Sequence, residues 1–219
     1  GKTMFTAQLV RYKNQKPELK NEETVNKIIS EILNSECKVI DKKETDKTIR
    51  PKAPYTTSKL QQDAANRLGF TSKKTMQVAQ QLYEGVQIGS SRVGLITYMR
   101  TDSVRIAKSA LDDVRNWISK NYPNQLPPEG ITYAVGKSAQ DAHECIRPTY
   151  IDYTPDSIKE YLTRDQYRLY AIIWERFFSS QMNNAKTRTT SVEIQAGDAV
   201  FRASASKLVE KGFYSVMKV

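Results

Sequence analysis

The stretch GLITYMRTDS, residues 94–103, is the part of the chain around which the other segments are arranged. Its apolar half, Leu95–Tyr98, predicts a short strand, and the aspartate and serine at its end predict the N-terminal cap of the next helix. A tyrosine at such a junction is placed to meet a phosphate, because Arg100 and the free N–H groups of a helix start would lie beside it. We therefore expect Tyr98 and Arg100 to form the centre of a phosphate-directed site.

Composition indicates a soluble globular protein. The chain has 219 residues, of which 39% are hydrophobic and 26% charged, so disorder and membrane residence are not indicated. No apolar run reaches about 18 residues and the start lacks the apolar segment of a signal peptide, so we expect a cytoplasmic location. Cys37 and Cys145 have no disulfide or metal-ligand spacing and are expected to be free thiols. A start at Gly1 suggests a segment of a longer polypeptide.

Positive charge is concentrated around the tyrosine stretch. The chain carries 34 Lys and Arg against 24 Asp and Glu. Residues 50–110 hold ten basic and three acidic side chains, whereas residues 1–49 hold ten and eight and residues 111–219 hold fourteen and thirteen. A basic segment of this kind commonly faces phosphate, and nucleic acid is the commonest polyanion. A solvated basic surface explains the charge equally well.

The pattern of the chain changes from β to helical and back. A strand around Phe5–Leu9, a helix capped by Asn21 and a charged edge-like strand at Val39–Ile49 come first. Neither chain end has enough apolar residues for a core of its own, so we expect the two ends to pair. The predicted fold class is α+β, with a helical, winged-helix-like domain inserted into a β-rich arch domain. The predicted bounds are 1–53 and 185–219 for the arch and 54–184 for the helical domain.

Two helices precede the tyrosine stretch. The first is predicted to be capped by Thr57 or Ser58 and to end at Gly69. The second is predicted to be capped by Ser72 and to end at Gly85. Two helices joined by a tight glycine turn are typical of a helix-turn-helix.

The start of the second helix is where a DNA-reading helix presents its contacts, and Lys73 and Lys74 lie there. Solvated surface lysines are the alternative. The glycine- and serine-bearing residues 86–92 that follow are expected to form a flexible loop or a hairpin wing.

The segment SAQDAHECIRPT, residues 138–149, holds the only histidine of the chain. His143 is a candidate to orient a phosphate or to move a proton, and Arg147, one helical turn further on, is a candidate to bind a neighbouring phosphate. A structural histidine is the alternative. A helix is expected from Ser103 onward, and Thr163-x-x-Gln166 predicts a capping box for a later one.

Tyr98 needs help to act as a nucleophile. A phenol titrates near pH 10, so a phosphoryl-transferring tyrosine requires a nearby positive charge or base. Arg100 could stabilise both the phenolate and the charge that develops on the phosphate. With twelve tyrosines in the chain, a packing role with a satisfied hydroxyl is the alternative for any one of them.

Three stretches resemble one family in the same order. GLITYMRTDS resembles the active-site tyrosine motif of the bacterial type IA DNA topoisomerases. PYTTSKLQQ, KKTM and QQLYEG (54–62, 73–76 and 80–85) are similar to the family's helix-turn-helix entry, and QDAHECIRPT (140–149) is similar to its histidine motif. Met99, where the related topoisomerase III branch usually has proline, favours the topoisomerase I branch. The strong similarity covers residues 54–185.

The resemblance implies a mechanism. Tyr98 would attack one strand of underwound DNA to form a 5′-phosphotyrosine and a free 3′-hydroxyl, and religation after strand passage would need no ATP. The implied catalytic residues are Tyr98, Arg100 and His143. The implied site-shaping residues are Thr97, Thr101, Asp102, Gln80 and Glu84, and the implied DNA-binding residues are Lys73, Lys74, Ser103 and Arg147.

The sequence also departs from the family. The toprim domain with its acidic Mg²⁺ cluster has no counterpart, nor do the first domain and the closing fourth domain. We therefore expect a central strand-gate fragment that binds no metal or cofactor itself, although the intact enzyme would use Mg²⁺. The fragment is expected to be monomeric, to bind single-stranded or underwound DNA without relaxing it, and to act with the remaining domains of its polypeptide in the bacterial nucleoid.

Rival functions come from other classes. A non-catalytic winged-helix DNA-binding module would explain the charge and the helix-turn-helix. A tyrosine recombinase is disfavoured, because its tyrosine follows its arginine and histidine motifs, whereas Tyr98 precedes His143. A structural or partner-binding fragment would show no salt-sensitive affinity for single-stranded DNA.

Overall fold

The computed structural model describes residues 4–134 and 143–217. In chain order the elements are β1 (Gln8–Tyr12), α1 (Glu22–Leu33), β2 (Cys37–Ile49), α2 (Thr57–Leu68), α3 (Ser72–Glu84), β3 (Val86–Ile88), β4 (Ser91–Val93), α4 (Lys108–Asn121), α5 (Arg164–Ser179), β5 (Ala185–Ala196) and β6 (Ala199–Glu210). This mixture of helix and sheet agrees with the expected α+β class. No helix of the described residues is both long and apolar enough to cross a membrane.

The chain divides into two compact units. One consists of the chain up to Ile49 together with Lys186–Glu210, and the other of Arg50–Ala185 together with the residues from Lys211 onward.

The first unit is a four-stranded sheet with one helix. The strand order is β1-β6-β5-β2, and β6 pairs antiparallel with both β1 and β5. The turn between β5 and β6 contains Gly197 at φ +59, as the Ala-Gly-Asp sequence there indicates. Helix α1 begins at the predicted cap, where the Asn21 side chain accepts the N–H of Thr24.

The first strand begins later than the sequence predicts. It spans Gln8–Tyr12 instead of the stretch around Phe5, whose side chain is 68% exposed. The pairing register with β6 sets this position, since Ala199–Arg202 of β6 pair with Gln8–Tyr12.

In the second unit, α2 and α3 end as predicted, but each is capped by a residue that precedes the predicted cap. Gly69, at φ +71, ends α2, and Gly85 ends α3. The caps are Thr56 and Thr71, each of which accepts a backbone N–H three residues on, so the predictions of Thr57, Ser58 and Ser72 are wrong. The hydroxyl of Thr57 is used elsewhere, as described below. Strands β3 and β4 form an antiparallel hairpin, one of the two alternatives predicted for residues 86–92.

Helix α5 is the central element of the second unit and packs against both α2 and α3. The predicted capping box is present at Thr163 and Gln166. Its buried face includes Leu169, Tyr170, Ile173, Phe177 and Phe178. Arg176 pairs with Asp63, and Arg67 pairs with the buried Glu175 at 2.8 Å, so charged pairs join α2 to α5.

We predict that Gly69→Ala lowers the free energy of unfolding of the second unit by about 1–2 kcal/mol, because a Cβ is strained in the left-handed region. Apart from Gly69 itself and its neighbours along the chain, no described residue has an atom within 4 Å of that Cβ, so backbone strain is the main expected cost. Gly69→Asn is the control and should lose less, since asparagine enters this region more readily. Both tryptophans, Trp117 and Trp174, lie in this unit, so urea unfolding followed by fluorescence measures it. Equal losses for the two variants would contradict the explanation.

Candidate active site

The segment around Tyr98 alternates between buried and exposed side chains. Leu95, Ile96 and Met99 are at most 1% exposed, whereas Tyr98 is 48% exposed and Arg100 is also exposed. Burial of the apolar side chains holds the backbone in place. As a result the phenol and the guanidinium both face outward from a firmly packed segment.

The tyrosine segment pairs with the histidine segment over a short distance. Ile96 bridges Pro148, the N–H of Thr97 donates to the carbonyl of Arg147 at 3.0 Å, and the N–H of Thr149 donates to the carbonyl of Leu95 at 3.1 Å. The predicted strand at Leu95–Tyr98 is therefore wrong as a sheet strand. It is an extended piece whose backbone groups bond to an equally short partner.

Thr97 strengthens this pairing through its side chain. Its hydroxyl donates to the carbonyl of Cys145 at 2.7 Å and accepts the N–H of Arg147 at 3.0 Å. Both hydrogen-bonding functions of the hydroxyl are used by backbone groups about 50 residues away in sequence. The structure thus places Thr97 as an anchor beneath Tyr98.

Thr57 holds the other side of the tyrosine segment, and the sequence reasoning missed this role. Its hydroxyl donates to the carbonyl of Met99 at 2.6 Å and accepts the N–H of Thr101 at 2.9 Å, while its own N–H donates to the carbonyl of Thr101 at 2.9 Å. These bonds flank Arg100 on both sides. The available signal was the run of two threonines and a serine at the start of α2, of which one can cap and another is free to bond elsewhere.

No helix begins at Asp102 and Ser103, so that prediction is wrong. The next helix, α4, begins five residues later and its cap, Ala107, makes no side-chain hydrogen bond. The intervening backbone bonds locally: the Thr101 hydroxyl accepts the N–H of Ser103, and the Ser103 hydroxyl accepts that of Arg105. Tyr98 is therefore not followed directly by the helix start that the sequence predicts. Ser103 is 1% exposed.

Among the described residues, the ring of Tyr98 contacts the aromatic side chain of Tyr83, near the end of α3. The two ring centroids are 5.3 Å apart in an edge-to-face arrangement. Within residues 4–134 and 143–217, neither the Tyr98 hydroxyl nor the Arg100 guanidinium has a hydrogen bond or ion pair. Asp102 likewise pairs with neither. The sequence analysis did not predict the contact between Tyr83 and Tyr98. The feature that could have indicated it is an aromatic residue next to the apolar face of a predicted helix.

The histidine segment is not the helix that the predicted spacing of its two candidate residues required. Residues 143–149 are extended, so Arg147 does not lie one helical turn beyond His143. The Arg147 guanidinium pairs with Glu144 at 2.8 Å and its side chain is only 15% exposed. His143 is exposed, and its carbonyl accepts a hydrogen bond from Arg105. The preceding motif residues 138–142 lie outside the described residues.

The site residues predicted on α3 differ in whether they have hydrogen-bond or ion-pair partners. The Gln80 amide donates to the carboxylate of Glu84, and neither residue has a hydrogen bond or ion pair to Tyr98 or Arg100 in the described part of the chain. Lys74 pairs with Asp165 at 2.7 Å and lies over the ring of Phe70. Lys73 is exposed and, among the described residues, has no ion pair.

Two other chemistries fit the described residues poorly. Burial raises the pKa of the Cys145 thiol to about 12, so at neutral pH this cysteine is a protonated thiol and a weak nucleophile. No group of three or more His, Cys, Asp or Glu side chains within the described ranges is arranged to hold a metal ion. The described residues therefore do not offer the carboxylate cluster that an Mg²⁺ site of this kind needs.

We predict that Thr57→Val loosens the backbone at Arg100, because valine keeps the shape of the side chain but neither accepts nor donates a hydrogen bond. Hydrogen exchange of the Thr101 amide should become about 5- to 150-fold faster, as expected for an unsatisfied partner costing roughly 1–3 kcal/mol. Thr57→Ser keeps the hydroxyl and is the control. An unchanged Thr101 exchange rate in the valine variant would contradict the anchoring role.

Comparisons with known proteins agree on one family. A family model described as DNA topoisomerase matches residues 2–219. DNA topoisomerase 1 of Treponema pallidum (strain Nichols) is 52% identical over 218 residues, which is 100% of this chain and 30% of that protein. Full-length topoisomerase I of Thermotoga maritima has a similar structure, with a TM-score of 0.78 and 35% identity over 97% of this chain and 34% of that chain. This chain spans about a third of each relative, and it belongs to the DNA topoisomerase family.

Proposed function

We propose that this chain is the central strand-gate part of a type IA DNA topoisomerase, with Tyr98 as the nucleophile that breaks one DNA strand. The observation that carries the proposal is an exposed tyrosine and an exposed arginine two residues apart on a backbone that is anchored from both sides. A fixed backbone with outward reactive groups is the arrangement that positions a nucleophile for attack. The geometry by itself supports only a positioned nucleophile, and the similarity to topoisomerases I supports a DNA strand as its target.

The proposed step balances without a redox change or ATP. The Tyr98 phenol loses its proton, its oxygen bonds to the phosphorus, and the bond from phosphorus to the 3′ oxygen breaks. The 3′ oxygen leaves and takes up a proton, so a 5′-phosphotyrosine and a 3′-hydroxyl result. Religation reverses each bond change, because the phosphodiester is kept as a phosphotyrosyl ester.

Arg100 is proposed to stabilise the charge of the pentacoordinate phosphate. Its guanidinium has no ion pair among the described residues, so in this part of the chain no carboxylate competes with a phosphate for it. Thr97 and Thr101 are proposed to shape the site through their backbone anchors. His143, Asp102, Gln80 and Glu84 remain proposed contributors on the strength of the family resemblance.

The rest of the polypeptide is proposed to complete the active site. The relatives are about three times as long as this chain, and we propose that Mg²⁺ is bound by a part of the protein beyond it. The proposed domains are the arch, from residues 1–53 and 185–219, and the helical gate domain, from residues 54–184. The isolated chain is proposed to be a DNA-binding monomer that does not relax DNA, taken from a cytoplasmic, nucleoid-associated enzyme.

We predict that Tyr98→Phe abolishes a covalent DNA adduct in the intact polypeptide that contains this chain. The measurement uses a labelled single-stranded oligonucleotide with Mg²⁺, followed by denaturing electrophoresis and mapping of the labelled peptide. Tyr150→Phe is the matched control, because Tyr150 is 53% exposed and should be unaffected. An adduct of normal yield in the Tyr98 variant would refute the nucleophile assignment.

The α2–α3 pair with its β3–β4 hairpin favours a second candidate, a non-catalytic DNA-binding module. The same experiment separates the two. Salt-sensitive DNA binding without any adduct in the unmodified protein would favour the binding module.

We predict that Lys73→Ala weakens binding of this chain to single-stranded DNA and reduces the slope of log affinity against log salt by about 1, as expected for one lost phosphate contact. Lys74→Ala should have a smaller effect, because Asp165 already neutralises that ammonium. Lys120→Ala, on the exposed side of α4, is the control. Equal effects of all three changes would indicate a non-specific charge effect and contradict a contact at Lys73.

A further inference from the structure

Two exposed tyrosines lie ring to ring at the candidate active site, and the proposed reaction uses only one of them. Tyr83 is 41% exposed and Tyr98 is 48% exposed, and their planes meet at 61°. We propose that Tyr83 is a positioning residue, whose ring holds the Tyr98 side chain in the orientation from which its hydroxyl attacks the phosphate. This inference rests on the proposed role of Tyr98 as nucleophile.

The end of α3 is fixed to the tyrosine segment, so Tyr83 has a defined place beside Tyr98. The N–H of Leu95 donates to the carbonyl of Leu82 at 2.8 Å. A Cβ added at Gly94 would lie 2.7 Å from the carbonyl oxygen of Tyr83, which shows how closely the two backbones approach. Only glycine permits this approach. The hydrogen bond from Leu95 to Leu82 therefore holds the backbone next to Tyr83 against the tyrosine segment.

The side chain of Tyr98 needs a support that its own backbone does not provide. Its neighbours Ile96 and Met99 are buried and fix the main chain, but χ1 of a half-exposed tyrosine can still occupy several staggered wells. Within the described residues its hydroxyl has no hydrogen bond that would select one well. An edge-to-face aromatic contact favours one arrangement by about two- to tenfold.

A packing role explains Tyr83 less well. The residues that α3 buries are Thr75, Val78, Ala79 and Leu82. Tyr83 lies outside this set and contacts Tyr98 at the surface, so its ring contributes little to the core. Its removal is therefore expected to leave the fold intact, which makes the inference testable by mutation.

The first test measures the orientation of Tyr98 directly in this chain. Three-bond NMR couplings that report χ1 of Tyr98 are compared in the unmodified chain, Tyr83→Phe and Tyr83→Ala. We expect one dominant rotamer in the first two, since phenylalanine keeps the ring, and averaged couplings in the alanine variant. Unchanged couplings in Tyr83→Ala would overturn the inference whether or not the chain belongs to a strand-breaking enzyme.

The second test measures cleavage of an oligonucleotide by the intact polypeptide. Tyr83→Ala should lower kcat by about two- to tenfold with KM unchanged, and Tyr83→Phe should retain the unmodified rate. Tyr161→Ala is the control, because Tyr161 is also exposed, at 40%.

A raised KM with unchanged kcat would identify Tyr83 as a DNA contact instead, and an unchanged kcat and KM would remove any catalytic role. Normal adduct formation by Tyr98→Phe would refute the proposed function separately, leaving the coupling measurement as the test of Tyr83.

Discussion

The candidate site depends on one constraint: hydrogen bonds hold the short backbone segment around Tyr98 and Arg100 from both sides. Thr57 binds the backbone on either side of Arg100, and Thr97 binds the backbone of the histidine segment on the other side of Tyr98. Each hydroxyl both donates to a backbone carbonyl and accepts from a backbone N–H. Loss of either would leave such groups unsatisfied, which costs more than the bond itself is worth.

This constraint separates structural side chains from reactive ones within a few residues. Leu95, Ile96 and Met99 supply the burial, and Tyr98 and Arg100 carry the polar groups that the described residues leave unpaired. A surface loop without such anchors would present the same two groups at variable distances. The proposed chemistry needs both near one phosphate, so the packing beneath the site is part of its function.

In the helical unit, fewer of the predicted phosphate contacts carry an unpaired positive charge than the count of Lys and Arg residues indicates. Two basic side chains predicted to face phosphate have carboxylate partners: Lys74 pairs with Asp165, and Arg147 pairs with Glu144. The exposed Lys74–Asp165 pair contributes little stability, but both pairs reduce the local positive potential. Arg100 and Lys73 are the predicted contacts whose cations have no ion pair in the part of the chain that the structure describes. Of the predicted phosphate contacts, Arg100 and Lys73 are therefore the ones whose positive charge is available to a phosphate without breaking a described ion pair.

The sequence by itself determined the features that depend on residues a few positions apart. Asn21, Gly69, Gly85 and the Thr163–Gln166 box end or begin helices as predicted, because capping and left-handed turns are local. Motif order also identified the tyrosine segment and its family. Only the tertiary structure decided that Leu95–Tyr98 is no sheet strand, that Thr57 is an anchor and not a cap, that α4 begins at Lys108, and that Tyr83 meets Tyr98. These outcomes depend on which distant backbone groups compete for a hydrogen bond or which rings meet in space, and nothing in a single sequence specifies those partners.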